Sequence, residues 1–87
     1  MNCLIYRCAR QAEMYLYLRE DLDPAQLPAG LLQRAGRLTQ VMRLDLQPRR
    51  RLARVDAQAV LAQLQACGWF LQLPPNGQVE AHLHFGD

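Results

Sequence analysis

The sequence of 87 residues contains no lysine, no serine and a single threonine, Thr39. A serine nucleophile and a lysine Schiff base or general base are therefore excluded. The ten basic residues are all arginine, and with eight acidic residues they give a net charge of +2. Alanine and leucine are abundant, so a GC-rich coding bias is the first explanation for the use of arginine in place of lysine. The missing lysine is therefore only weak evidence for bidentate recognition by arginine.

Long apolar runs are also missing, although 51% of the residues are hydrophobic. A membrane-spanning helix needs about 18 such residues in a row, and the first residues lack the basic and apolar segments of a secretory signal. The three cysteines, Cys3, Cys8 and Cys67, are odd in number and lack zinc-binding spacing, which argues against a disulfide framework or a metal knuckle. We therefore expect a cytoplasmic protein with reduced thiols, no cofactor and no membrane contact.

Two short β-prone runs open the chain. Residues 2–9 and 14–19 are joined by a polar link, which is typical of an antiparallel hairpin. Both faces of the second run are largely apolar, which indicates a sheet covered on both sides. Residues 38–46 predict a third strand. Alternation would place Thr39, Val41, Arg43 and Asp45 on one face of this strand. The other face would carry Leu38, Gln40, Met42, Leu44 and Leu46.

Local signals predict two helices and a last strand. Pro28 suits the first turn of a helix and Gly36 suits its end, which predicts a short helix over 28–35. Asp56 is a good N-cap, with Val55 and Val60 able to pack across it. Gly68 ends that second helix, and residues 69–73 predict a short apolar strand stopped by two prolines. Trp69 and Phe70 should then lie on opposite faces of the sheet.

The predicted order is strand, strand, helix, strand, helix, strand. This order indicates an α+β fold: a single small domain with a mainly antiparallel sheet and helices on both faces. We place the domain at residues 1–77 and a C-terminal tail at 78–87.

Several stretches follow one another in an order found in a known family. The chain resembles the YcgL family, small bacterial proteins of uncharacterised function, over residues 2–75. The resemblance implies a three-layer α/β/α sandwich and no established catalytic activity. It rests on Cys3-Leu4-Ile5-Tyr6-Arg7, Tyr15-Leu16-Tyr17, Leu44-Asp45, Arg50-Arg51-Leu52-Ala53 and Gly68-Trp69-Phe70-Leu71-Gln72-Leu73-Pro74-Pro75.

Positive charge is concentrated in one segment. Residues 43–54 contain five arginines and one aspartate, a local net charge of +4, which leaves −2 for the rest of the chain. Arginine binds carboxylates and phosphates bidentately and stacks on bases. We predict a binding surface here, supported by Arg7 if it projects nearby; its residues are Arg7, Arg43, Arg49, Arg50, Arg51 and Arg54.

Three other groups of residues could carry chemistry. The strand aromatics could stack RNA bases, although core packing explains them better if helices cover both faces; they are Tyr6, Tyr15, Tyr17, Trp69 and Phe70. In the tail, Glu80, His82 and His84 would share one face of an extended strand and could hold a metal, against a solvated tail as the simpler interpretation. An enzyme would have to be built around Asp45, Arg7 and Cys8.

From these patterns we predict a non-enzymatic protein-interaction or regulatory module, monomeric or weakly dimeric, with an unidentified protein partner. The rival hypothesis is an RNA- or nucleotide-associated protein that uses the Arg43–Arg54 segment to contact phosphates.

Overall fold

The fold is a small antiparallel sheet with two α-helices, in the order that the sequence predicts. The computed structural model of the chain describes residues 1–52 and 55–74. Within these residues the elements are β1 (Asn2–Cys8), β2 (Tyr15–Arg19), a 3₁₀ turn (Pro24–Gln26), α1 (Ala29–Ala35), β3 (Leu38–Asp45), α2 (Ala57–Cys67) and β4 (Trp69–Gln72).

The β1–β2 hairpin lies at the centre of the sheet. The strand order is β3-β1-β2-β4, and every neighbouring pair is antiparallel. One cross-strand row runs Thr39, Arg7, Tyr15 and Gln72, because Arg7 pairs with both Thr39 and Tyr15, and Tyr15 pairs with Gln72. The predicted hairpin and the α+β class are both confirmed.

Two groups of buried side chains divide the core. The α2-side cluster contains Cys3, Ile5, Tyr17, Leu44, Leu46, Ala57, Val60 and Leu64. The α1-side cluster contains Tyr6, Cys8, Met14, Leu16, Leu18, Leu27, Leu31 and Ala35. Successive strand residues such as Ile5 and Tyr6 alternate between the clusters, as the side chains of a pleated strand must. Phe70 packs against the first cluster and Trp69 against the second, so the predicted division of these rings is confirmed.

A β-bulge in β3 overturns the strict alternation expected for that strand. Ile5 pairs with Met42 whereas Tyr6 pairs with Gln40, so Val41 is an extra residue. An extra residue moves every later side chain to the other face. Leu38 consequently packs against the α1-side cluster, and Leu44 belongs to the α2-side cluster. The prediction that Leu38 and Leu44 share a face was wrong for this reason.

Helix α2 begins and ends where its sequence signals predict. An Asp56 side-chain oxygen accepts a hydrogen bond from the Gln58 backbone N–H at 3.3 Å. At the other end Gly68 adopts the left-handed conformation, with φ of 90° and its N–H donated to the Leu64 carbonyl at 2.9 Å. A Cβ atom at Gly68 would also meet the terminal methyl group of Leu22, which would have to shift, so the positive φ is the main reason for glycine at this position.

We predict that Gly68→Ala lowers the free energy of unfolding by about 1–3 kcal/mol, because alanine is strained at positive φ and would collide with Leu22. The matched control is Gly30→Ala in α1, where a Cβ meets nothing within 4 Å. Alanine favours the helix there, so the control should be neutral or stabilising by up to about 1 kcal/mol. Urea denaturation measures both variants, and equal stability of the two would contradict the prediction.

Candidate functional site

The loop between β3 and α2 carries the arginine run across the α2 side of the sheet. Leu46 is buried in the α2-side cluster, and Leu52 and Val55 pack against it. A turn with a 2.9 Å hydrogen bond from the Arg50 N–H to the Gln47 carbonyl lies between these anchors. Apolar side chains thus fix both ends of the loop, while Arg49, Arg50 and Arg51 are exposed. Arg54 lies outside the described residues.

Arg7 and Arg43, the other predicted site residues, lie on opposite faces of the sheet. Arg7 is exposed and stands opposite Tyr15, which packs against the α2-side cluster. Arg43 stands opposite Leu4, which packs against the α1-side cluster. Arg7 therefore shares its side of the sheet with the loop of Arg49–Arg51, whereas Arg43 points to the other side.

Ion pairs distinguish the arginines further. Arg43 binds Glu20 through two contacts, Nε–Oε2 at 2.6 Å and Nη2–Oε1 at 3.1 Å. Arg19 binds Asp21 at 2.7 Å and donates to the Leu64 carbonyl at 3.0 Å. Within the described residues, no carboxylate forms an ion pair with Arg7 or with the run Arg49–Arg51. Within that part of the chain, the positive charge of Arg49–Arg51 is therefore left for solvent or a partner.

Gln72, on strand β4, is a polar residue that sequence reasoning missed. It is buried, with 7% of its surface exposed, and its side-chain oxygen accepts a 2.9 Å hydrogen bond from the Tyr17 hydroxyl. Tyr17 also packs edge-on against Phe70, with ring centroids 5.8 Å apart. The signal available in the sequence was a single polar residue within the otherwise apolar run 69–73.

Val41 and Met42 form an exposed apolar pair that sequence reasoning also missed. They are 42% and 45% exposed, the largest values for big apolar side chains in the described part of the chain. Both lie on β3, which is an edge strand. The bulge at Val41 accounts for their position on the strand, and a single sequence carries no signal that marks a bulge.

The hypothetical catalytic group of Asp45, Arg7 and Cys8 is not assembled. Asp45 pairs with Asn2 at one end of β1, whereas Cys8 ends the same strand about 20 Å away. Asp45 contacts the N-terminal amine at 3.2 Å and Gln47 at 3.0 Å instead, which lowers the pKa of its carboxyl. Burial raises the pKa of the Cys8 thiol to about 11, so this thiol stays protonated and is a poor nucleophile.

A cleft of about 380 Å³ lies on a different part of the surface. It opens between the loop after β2 and the junction of α2 with β4; its lining is Leu22, Asp23, Gln26, Leu27, Pro28, Cys67 and Trp69. Apolar side chains dominate this lining, and no arginine contributes to it. The cleft is therefore separate from the arginine surface.

Residues 1–52 and 55–74 offer neither a cluster of metal ligands nor a membrane-spanning helix. No group of three histidine, cysteine or acidic side chains there could hold a metal ion. No helix in that part is long and apolar enough to cross a membrane. The predicted trio of Glu80, His82 and His84 lies outside the described residues.

A sequence model of the YcgL domain matches residues 3–75. The chain belongs to the YcgL family. It is 40% identical to a YcgL domain-containing protein of Cronobacter sakazakii, with 86% of this chain and 82% of that protein covered. A similarly named protein of Yersinia enterocolitica is 34% identical and is covered over 97% of its length.

One relative is much longer. A protein of Nitrosococcus oceani named putative HAD-like hydrolase is 39% identical over 72 residues, which are 83% of this chain and only 19% of that protein. Most of the protein that carries the name lies outside the match. The hydrolase name is that of the long protein as a whole.

We predict that Tyr17→Phe lowers the free energy of unfolding by about 1–2 kcal/mol, because the buried Gln72 amide loses a hydrogen-bond partner. Tyr15→Phe is the control, since the Tyr15 hydroxyl makes no hydrogen bond within the described residues. It should change stability by less than about 0.5 kcal/mol. Urea denaturation of the two variants tests this, and equal losses would refute the role of the buried bond.

We predict that Cys67 is the only rapidly reacting thiol of the folded chain. Cys67 is exposed, whereas Cys3 and Cys8 are buried, and burial raises the pKa of both buried thiols. Ellman's reagent at a pH of about 8 should give one fast thiol and release the other two on denaturation. Cys67→Ala should abolish the fast phase. Two fast thiols in the unmodified chain would be the contrary result.

Proposed function

We propose that this YcgL domain is a protein-interaction module of the bacterial cytoplasm, which binds an acidic surface of its partner. The contact residues are Arg49, Arg50 and Arg51. Arg7 faces the same side of the sheet but lies about 17 Å along β1 from Asn2, the residue that pairs with the end of β3 where the loop begins. The observation that carries the proposal is that Arg49–Arg51 form an exposed cluster on an anchored loop and lack carboxylate partners within the described residues, whereas Arg19 and Arg43 are paired and the exposed Arg10 and Arg37 lie outside this cluster. Exposed guanidinium groups bind carboxylates bidentately, and they favour a partner whose surface carries negative charge in a matching geometry.

We infer further that the domain is a three-layer α/β/α sandwich. The support is that α1 and α2 contribute to different buried clusters, between which successive strand residues alternate. In such an arrangement helices occupy both faces of the sheet. The surfaces left for a partner are then the sheet edges and the loops, which is where the arginine run lies.

The aromatic residues favour a protein partner over RNA. Proteins that bind single-stranded RNA stack bases on exposed rings. Here Tyr6 and Tyr17 are buried, and Tyr15, Trp69 and Phe70 are partly buried against the clusters. Phosphate contacts would have to come from the arginines alone. We keep RNA as an outcome of the experiment.

The long relative is consistent with an accessory role. In Nitrosococcus oceani the matching segment forms 19% of a longer chain named putative HAD-like hydrolase. A domain that is found both in small proteins and as a segment of a longer chain suits a module that works through another protein.

We predict that Arg50→Gln/Arg51→Gln reduces capture of the partner from bacterial lysate by about tenfold or more, because each lost arginine removes a charge-assisted contact. The control is Arg10→Gln/Arg37→Gln, which removes the same charge from exposed sites away from the loop. Tagged chains are compared by quantitative mass spectrometry, with and without nuclease. The control should capture as much partner as the unmodified chain.

Two results would reject the proposal. If nuclease treatment abolishes capture, the partner is a nucleic acid, and retention should then fall steeply with salt. If both double variants lose capture equally, net charge and not the loop explains binding.

A further inference from the structure

We propose that the edge of β3 around Val41 and Met42 docks an extended, acidic segment of the partner protein. This inference rests on the proposed function and specifies how that partner binds. The bound segment would lie along β3, with an apolar side chain over Val41 and Met42 and with carboxylates towards Arg7 and the Arg49–Arg51 loop.

The backbone of β3 has a free side in the described structure. The strand is the outermost of the sheet and pairs only with β1 there. An edge strand presents N–H and C=O groups that an added strand can satisfy. The opposite edge, β4, is short and is followed directly by Leu73 and two prolines, which limit pairing. The longer β3 is therefore the better template.

The exposed apolar pair marks the centre of this edge. Val41 and Met42 lie midway along Leu38–Asp45 and are 42% and 45% exposed. Their neighbours Thr39, Gln40 and Arg43 are exposed and polar, so the apolar patch is small and bounded. A large apolar side chain of a ligand placed against this pair would remove part of its apolar surface from water.

The surrounding charges select an acidic ligand. Met42 pairs with Ile5, two residues before Arg7, so Met42 and Arg7 lie on the same face about 7 Å apart along the sheet. The Arg49–Arg51 loop leaves the end of the same strand. Glu20 already neutralises Arg43 on the opposite face, so the free positive charge lies on the α2 side. A ligand that lies along β3 would therefore have Arg7 beside the apolar pair and the Arg49–Arg51 loop beyond the end of the strand.

The same charges oppose a second copy of this chain as the occupant. An antiparallel copy paired at β3 would set its Arg49–Arg51 loop near Arg37, which directly precedes β3. Like charges at that distance repel. The bulge at Val41 also interrupts regular pairing, so an added strand can form a continuous ladder only on one side of it. Both features favour a short, single acidic segment.

The test uses random peptides displayed on phage, each about 10 residues long, which matches the longest common strands. They are selected against the immobilised full chain, and an enriched peptide is then synthesised. We expect enriched peptides to combine Asp or Glu with one or two large apolar residues. On binding, hydrogen exchange of the outward-facing backbone amides of β3 on one side of Val41 should slow, because the bulge limits strand addition to that side.

Two matched variants test the apolar contact by fluorescence anisotropy. Val41→Thr/Met42→Thr keeps side chains suited to a strand but lowers the apolar area, and should weaken peptide binding by about tenfold. Val41→Ile/Met42→Leu keeps the apolar area and should bind as the unmodified chain does. Because both residues are exposed, thermal unfolding should show that each variant stays folded.

The outcomes separate this inference from the proposed function. If the threonine variant binds normally while Arg50→Gln/Arg51→Gln does not, the β3 inference is wrong and the arginine surface stands. If no peptide or only basic peptides are enriched, the β3 inference is again wrong. A dimer of the free chain that the threonine variant dissociates would identify a second copy as the occupant and overturn the acidic segment.

Discussion

Burial of the β1–β2 hairpin on both faces is the constraint on which the rest of the fold depends. Cys3, Leu16 and Leu18 are fully buried, and they belong to clusters on different sides of the strands. An isolated hairpin cannot hide two apolar faces, so each needs its own cover. α1 and α2 contribute buried residues to different clusters, and β3 and β4 satisfy the outer hydrogen bonds of the hairpin. A chain of this size has little other apolar surface from which to gain stability.

Ion pairing distinguishes two sets among the ten arginines. Arg19 links the end of β2 to the last turn of α2, and Arg43 binds Glu20 next to the hairpin. These two support the fold. The exposed run Arg49–Arg51 is held between buried anchors but contributes no ion pair within the described residues. Local charge density in the sequence indicated the segment, and only the structure distinguishes its arginines by role.

Features governed by local chemistry could be predicted from the sequence. The two ends of α2, at Asp56 and Gly68, could be predicted because side-chain capping and positive φ depend on a few adjacent residues. The faces of β3 could not be predicted, because the bulge at Val41 arises from pairing with a distant strand. For the same reason, the bond between Tyr17 and Gln72 and the separation of Arg7 from Arg43 need the strand register. The family could be inferred from short motifs, since their order survives without knowledge of contacts.

The bulge in β3 also decides which cluster each end of the strand supports. Leu38, before it, packs against the α1-side cluster, and Leu44, after it, is buried in the α2-side cluster. Regular pairing of the same residues would put both leucines on one face of the sheet. The extra residue at Val41 therefore lets the two ends of one strand add a leucine to the core on each side of the sheet.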